Sequence, residues 1–302
     1  GVWSDGYYMS INSFPDSGAN PVGLPYAFNR TPMLTGAATT FQTTAAANGA
    51  GDVLLPSDLD GSTQPPAGAP NYFLGLGSGL DLYKFHVDWA TPANTTFTGP
   101  TNLTVASFDS GFSCGTSGRS CIPQPGTTQG LDAISDRLMH RLSYRNFGDH
   151  EMLLANHNVD SNGANVAGVR WYEIRNPNGS PTVFQQGTYA PGDGISRWMG
   201  SMAMDRNGDI AMGYSVSSST LHPGIRYTGR LASDPLGTMQ SETTIFTGGG
   251  SQTGSLQRWG DYTSMSVDPA DDCTFWYTDE YIASNGSFNW HTRVGTFRFA
   301  NC

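Results

Sequence analysis

The chain of 302 residues is poor in charge: 13% of its residues are charged, with a single lysine, Lys84, among 15 basic side chains. Against 25 acidic residues this leaves a net charge of −10. A protein that grips nucleic acid needs clustered cationic surface to neutralise phosphates, so this balance excludes that function class. No run of about 18 apolar residues is present, which excludes a helical membrane span. The residues also lack a charged segment followed by an apolar one, the pattern of a secretory leader. Cysteine is scarce, and none of the four is in a CxxC pair or beside histidines at zinc spacing. No Gly-x-Ser-x-Gly elbow, HExxH, phosphate loop or dinucleotide fingerprint occurs.

What is abundant points to strands and turns. There are 38 glycines and 18 prolines, 12% of residues are aromatic, and Ser, Thr and Asn are frequent. Many short strands joined by turns have this composition, and long helices do not. At this length the chain is expected to bury about 75% of the surface exposed on unfolding, so packing alone can hold it. The cysteines Cys114 and Cys121, and Cys273 and Cys302, are read as two local disulfides formed in an oxidising compartment, extracellular or periplasmic.

The sequence repeats. Trp259-Gly-Asp-Tyr-Thr-Ser-Met-Ser-Val-Asp268 places Trp, Asp, Met and Asp at relative positions 0, 2, 6 and 9. Trp3, Asp5, Met9 and Asn12 occupy the same frame, and Phe147, Asp149, an apolar pair and Asn156 give a third copy. A fourth, Trp198 to Asp205, is two residues shorter and has no acid after its Trp. Each copy is followed by further alternating strands, among them Ile225–Arg230, Met239–Thr247 and Trp290–Phe299. A meander of four strands with an aromatic at each entry is the sequence pattern of a propeller blade. The expected fold is therefore all-β, a single β-propeller domain over residues 1–302 with about five four-stranded antiparallel blades. Blades are expected to begin near Trp3, Asp52, Phe147, Trp198 and Trp259. The segment Pro56–Asn71 reads as a long polar loop, and Asp136–Phe147 as an extra strand leading into the third blade. Because the chain opens on a repeat and ends on a third strand, a preceding segment or a partner is expected to complete the ring, or the last blade has three strands.

The stretches Trp3–Phe14, Asp136–Val159, Arg170–Tyr189, Arg197–Arg230 and Arg258–Cys302 together resemble a group of uncharacterised secreted bacterial proteins with a sialidase-like (BNR-type) β-propeller. The resemblance implies secretion and a glycan ligand. It also implies further blades upstream, which would make this the later part of a larger propeller. The Asp-box of true sialidases is only echoed by Asp205-Arg-Asn-Gly208, without its terminal Trp, so sialidase chemistry does not carry over.

Equivalent positions of propeller blades converge on one rim, which makes Asp5, Asp149 and Asp261 candidates for a shared acidic site. Asp149 and Asp261 with His150 are the candidate acid and base groups of a glycoside-cleaving enzyme. Arg197, Arg258, Trp198, Trp259 and Tyr262, with Arg137 and Arg141, are candidate ligand-binding residues, since guanidinium groups chelate carboxylates and indoles stack on rings. The competing reading gives each Asp to its own turn, each Trp to packing and each Arg to a neighbouring carboxylate. Asp205, Asn207 and Asp209 mimic the first positions of a calcium loop but lack its sixth-position Gly and twelfth-position Glu, and an Asn-Gly hairpin explains them equally. No other cofactor is expected beyond such a structural Ca2+. Two functions remain open at this level: a secreted propeller that binds and cleaves a polysaccharide as a hydrolase or lyase, or one that binds a glycan or a protein and catalyses nothing.

Overall fold

The computed structural model describes all residues except 15, 17–20, 45–52 and 115–118, so the blade start near Asp52 lies outside the described residues. The fold is all-β with curled sheets. Among the described residues the helical elements are α1 (Arg30–Met33) and one 3-10 turn at Pro92–Asn94. No helix among the described residues is long and apolar enough to cross a membrane.

Strands follow one another as antiparallel meanders. β1 (Gly6–Ser13), β2 (Val22–Asn29) and β3 (Phe41–Thr43) form the first. β4 (Leu54–Asp60), β5 (Asn71–Leu76), β6 (Leu80–His86) and β7 (Thr96–Leu103) form the second. β8 (Leu142–Asn146) pairs with β4 in parallel, Ser57 opposite Leu142 through Asp60 opposite Arg145. β9 (Glu151–Asp160), β10 (Ala167–Arg175) and β11 (Thr182–Tyr189) are hydrogen-bonded in chain order. β12 (Ser196–Met204), β13 (Ile210–Ser217), β14 (Gly224–Arg230) and β15 (Thr243–Phe246) make the next sheet. β16 (Ser264–Val267), β17 (Phe275–Ile282) and β18 (Trp290–Phe297) make the last, which has three strands.

The chain divides into two compact units. The first holds Gly1–Val105, Arg141–Leu153 and Glu173–Phe184, the second Ala106–His140, Leu154–Tyr172 and Gln185–Cys302. β9, β10 and β11 carry residues of both.

In the first unit Trp3 is buried, with Tyr144 and Tyr72 edge-on to it at 4.6 and 5.9 Å. The segment Pro56–Asn71, expected to be a loop, is strand up to Asp60. Its polar sequence concealed this, because Asp58 and Asp60 spend their charge on Arg141: Nε donates to Asp58 at 2.7 Å and Nη2 to Asp60 at 2.6 Å. β8 is the extra strand expected before the third repeat, shorter than the stretch that suggested it.

In the second unit Trp198 and Trp259 share a core with Ile122, Leu131, Met139 and Ile282, their ring centroids 6.1 Å apart. Met265 and Val267 of β16 pack with Ala203, Ala211, Phe275 and Tyr277. Each large side chain so buried contributes about 1.5–3 kcal/mol by removal from water. Two disulfides close loops, Cys114–Cys121 and Cys273–Cys302.

Candidate functional site

The loop from Gln257 to Thr263, leading into β16, carries the repeat's most polar copy. Trp259 anchors it: the ring is buried, and Nε1 donates to Ser215 Oγ at 3.0 Å. Gly260 follows with φ 62°, a conformation that side chains resist and glycine accepts freely. Its N–H donates to Glu280 Oε1 at 3.1 Å. Thr263 then donates through Oγ1 to the carbonyl of Met199 at 2.8 Å, fastening the loop to β12. Met199 is buried with φ 52°, its N–H held by Asn158 Oδ1 at 3.1 Å. A methionine in the left-handed region costs about 1–2 kcal/mol, and such strain collects at working sites.

Gly260, Asp261, Tyr262 and Thr263 of this loop face Thr278, Asp279 and Glu280 of β17 and Thr292 of β18 across a cleft of about 170 Å³. Alternation along β17 gives the two acids opposite roles. Asp279 points inward and is buried, accepting from Ser215 Oγ at 2.7 Å, from the Tyr277 hydroxyl at 3.2 Å and from the Glu280 N–H at 2.7 Å. Burial lifts its carboxyl to about 8, against the downward pull of the Ser215 and Glu280 hydrogen bonds. Glu280 points into the cleft, and burial lifts it to about 7, with the charge of Asp261 adding to the lift. Asp261 is also raised by burial, opposed by its ion pair with Arg258, whose Nε donates to Oδ2 at 2.6 Å. Glu280 and Asp261 thus face the cleft with Asp279 buried behind them, and Glu280 changes protonation near neutral pH.

A second cleft, of about 250 Å³, belongs to the same unit and includes Phe112, Arg119, Asp132, Ile134 and Asp136 in its lining. The backbone N–H of Asp132 donates to the Gln257 carbonyl at 2.8 Å, tying this cleft to the start of the loop. Arg119 approaches Asp132 at 3.6 Å, and Arg137 chelates Asp136 through Nε and Nη2 at 3.0 and 2.8 Å. The charges of Asp132 and Arg137 both act on Asp261, so one electrostatic field covers the two clefts. Ile134, a β-branched residue with φ 45°, adds a second strained position.

The structure therefore brings Asp261, Arg258, Tyr262 and Arg137 into one neighbourhood. Trp198 and Trp259 lie beneath it and present no ring face to solvent. Arg197 is buried elsewhere, held by Asp193 and Glu242, whose Oε2 also accepts from the Tyr214 hydroxyl. Asp205 accepts the backbone N–H groups of Asn207 and Asp209 through Oδ1, and Asp209 accepts from Ala232 N and Asn301 Nδ2. Among the described residues no group of three or more His, Cys, Asp or Glu side chains has a metal-holding arrangement.

The remaining candidates belong to the first unit. Asp5 accepts from the Tyr8 hydroxyl at 3.1 Å and from Trp89 Nε1 at 2.9 Å. Arg141 is buried between Asp58 and Asp60. Asp149 has an 82% exposed side chain and a hydrogen bond with His150 Nδ1 at 2.8 Å, and the imidazole stacks on Phe147 with centroids 5.0 Å apart.

Glu280, Asp279 and Asp132 were not singled out by the repeat. The signal for the first two is present in Phe275–Ile282, where an alternating aromatic strand carries an adjacent Asp-Glu pair, one of which must point into the core.

No protein-family model matches the chain, and no curated protein matches it. Among solved structures it is similar to a GH43 endo-arabinanase from Bacillus licheniformis, with 12% identity over 81% of this chain and 71% of the other at a TM-score of 0.38. A thermostable family-43 glycoside hydrolase has 11% identity over 99% and 92% of the two chains at a TM-score of 0.39. An α-L-arabinofuranosidase from Lactobacillus brevis has 10% identity over 97% and 90% at a TM-score of 0.40. At these identities and scores, the functional reading rests on the residues themselves.

Proposed function

We propose that this is a secreted β-propeller that binds an extracellular glycan and cleaves its glycosidic bonds at the cleft between Gly260–Thr263 and β17. The observation that carries the reading is the pairing of Glu280, whose carboxyl is lifted to about 7, with Asp261 beside Arg258. Glycoside cleavage needs one carboxyl that still holds a proton near neutral pH and one that is ionised. In this reading Glu280 protonates the leaving oxygen, Asp261 acts as base or nucleophile on the other side, and Arg137 and Tyr262 orient the sugar. Asp279, buried behind Glu280, positions it through the Glu280 N–H. The meanders of strands are the blades, and two disulfides suit an oxidising exterior. Asp149 and His150 form a separate exposed pair whose role in catalysis is proposed on the repeat alone.

The test is a panel of polysaccharides assayed for new reducing ends or unsaturated products, with Asp261→Asn, Glu280→Gln and Asp149→Asn as variants. Release by the wild type that falls at least about a hundredfold in Glu280→Gln, the size expected for a lost general acid, supports the reading. Binding of a glycan without any release would return the protein to the non-catalytic alternative.

A further inference from the structure

We propose that the outward face of β17 and β18 is a binding platform for a linear neutral polysaccharide, which crosses the sheet and passes the cleft at Glu280. The proposal rests on the glycan reading of that cleft and extends it to the class of substrate. The register of the two strands sets the face: Trp276 pairs with Thr296, Thr278 with Val294, Glu280 with Thr292 and Ile282 with Trp290. Directly paired residues of antiparallel strands share a side, and alternate residues along a strand do too. Phe275 and Tyr277, on the other side, are in the core with Phe297 packed against them. On the outward side Trp276 is 43% and Trp290 46% exposed, while Ile282 is buried in the core with Trp198 and Trp259, so the open surface runs along β18 and the Trp276 end of β17.

Three of these outward residues, Thr278, Glu280 and Thr292, also line the cleft, so face and cleft are one continuous surface. Trp276 stands six positions from Ile282, the partner of Trp290, which at about 3.3 Å per residue separates the two indoles by about 20 Å along the strands. That span accommodates several linked sugar rings, with Glu280 between the indoles. Sugar rings offer C–H faces to an indole and hydroxyls to its neighbours, and Thr278, Glu280 and Thr292 between the indoles supply polar partners. The Trp276 ring is held in place, since Nε1 donates to Asp268 Oδ2 at 3.0 Å while its face stays open. A fixed exposed aromatic loses little freedom on binding, which favours affinity.

Charge selects the polymer. No basic side chain stands among the four pairs from Trp276–Thr296 to Ile282–Trp290, and the net charge of −10 repels a polyanion. A neutral chain meets neither obstacle.

The experiment measures binding of the whole protein to xylan, mixed-linkage glucan and arabinan, with polygalacturonate beside them, by affinity electrophoresis and calorimetry. At least one neutral polymer binds, and Trp276→Ala and Trp290→Ala each weaken it about tenfold, the loss of one buried aromatic contact. Trp276→Tyr retains most of the affinity, which separates a lost platform from a misfolded variant. Glu280→Gln and Asp261→Asn stop cleavage, and the two Trp variants alone report on the platform. Binding through the two indoles with no cleavage by any form leaves the platform standing and ends the enzymatic reading. The platform is overturned if no neutral polymer binds, if only polygalacturonate does, if a disaccharide binds as tightly as a hexasaccharide, or if cleavage survives both Trp variants with KM unchanged.

Discussion

Replacing Asp279 by Asn reports directly on the protonation assigned to the cleft. The Asp279 carboxyl is lifted to about 8 in the folded protein, against about 3.9 in an unfolded chain. Between those values the folded state keeps a proton that the unfolded state has released, so stability falls as pH rises from about 4 to about 8. Two of those pH units lie above pH 6, and at 1.36 kcal/mol each they amount to about 3 kcal/mol lost between pH 6 and pH 9. Asn does not ionise, so the variant escapes this loss, whatever fixed cost its amide incurs against Ser215 and Tyr277. Urea unfolding followed by tryptophan fluorescence at pH 6 and pH 9 reads the double difference between wild type and Asp279→Asn. A variant that loses as much stability as the wild type over this interval would show that Asp279 is already ionised at pH 6, and the proton-rich cleft would be wrong.

Other outcomes follow from the same geometry. His157 is buried against Tyr172, whose hydroxyl lies 2.9 Å from Nε2, and burial lowers its imidazole to about 4. A base depressed in the folded state loses stability as pH falls from about 6.5 to about 4, here by about 3 kcal/mol, and an NMR titration of the ring that shows a midpoint above 6 would refute it. Trp259→Phe breaks the bond to Ser215 and leaves that hydroxyl short of a donor, costing about 1–3 kcal/mol in urea unfolding, whereas Trp259→Ala costs about 3–5 kcal/mol. Opening Cys273–Cys302, which closes a loop of 29 residues, destabilises by about 3–4 kcal/mol in the chain-entropy model, checked by unfolding with and without reductant.

The repeat made the strands legible through its recurring entry residues, and alternation helped only in strands such as β1 and β2, since β12 and β13 are buried on both faces. β14, β15 and β18 fall within a residue or two, or a few, of the stretches expected for the third and fourth strands of their sheets. β4 was hidden for the opposite reason, since Ser57, Asp58 and Asp60 look like a loop until Arg141, far along the chain, is placed between the two acids. The same limit applies to the site. Asp261 stood out through repetition, but Glu280 and Asp279 occur in one sheet only, and their signal is confined to the adjacent Asp-Glu pair of one alternating strand. Their proton affinities depend on burial and on Gly260 and Ser215, contacts set by the fold and not by spacing.

If Glu280 supplies a proton to the glycosidic oxygen, two substrates that differ in leaving group respond differently to its loss. On an unactivated polysaccharide, Glu280→Gln is expected to cut kcat/KM by about two to four orders of magnitude, whereas an aryl glycoside with an acidic phenol as leaving group needs no proton and retains most of its rate. Equal losses on both substrates, or none on either, would contradict the assignment.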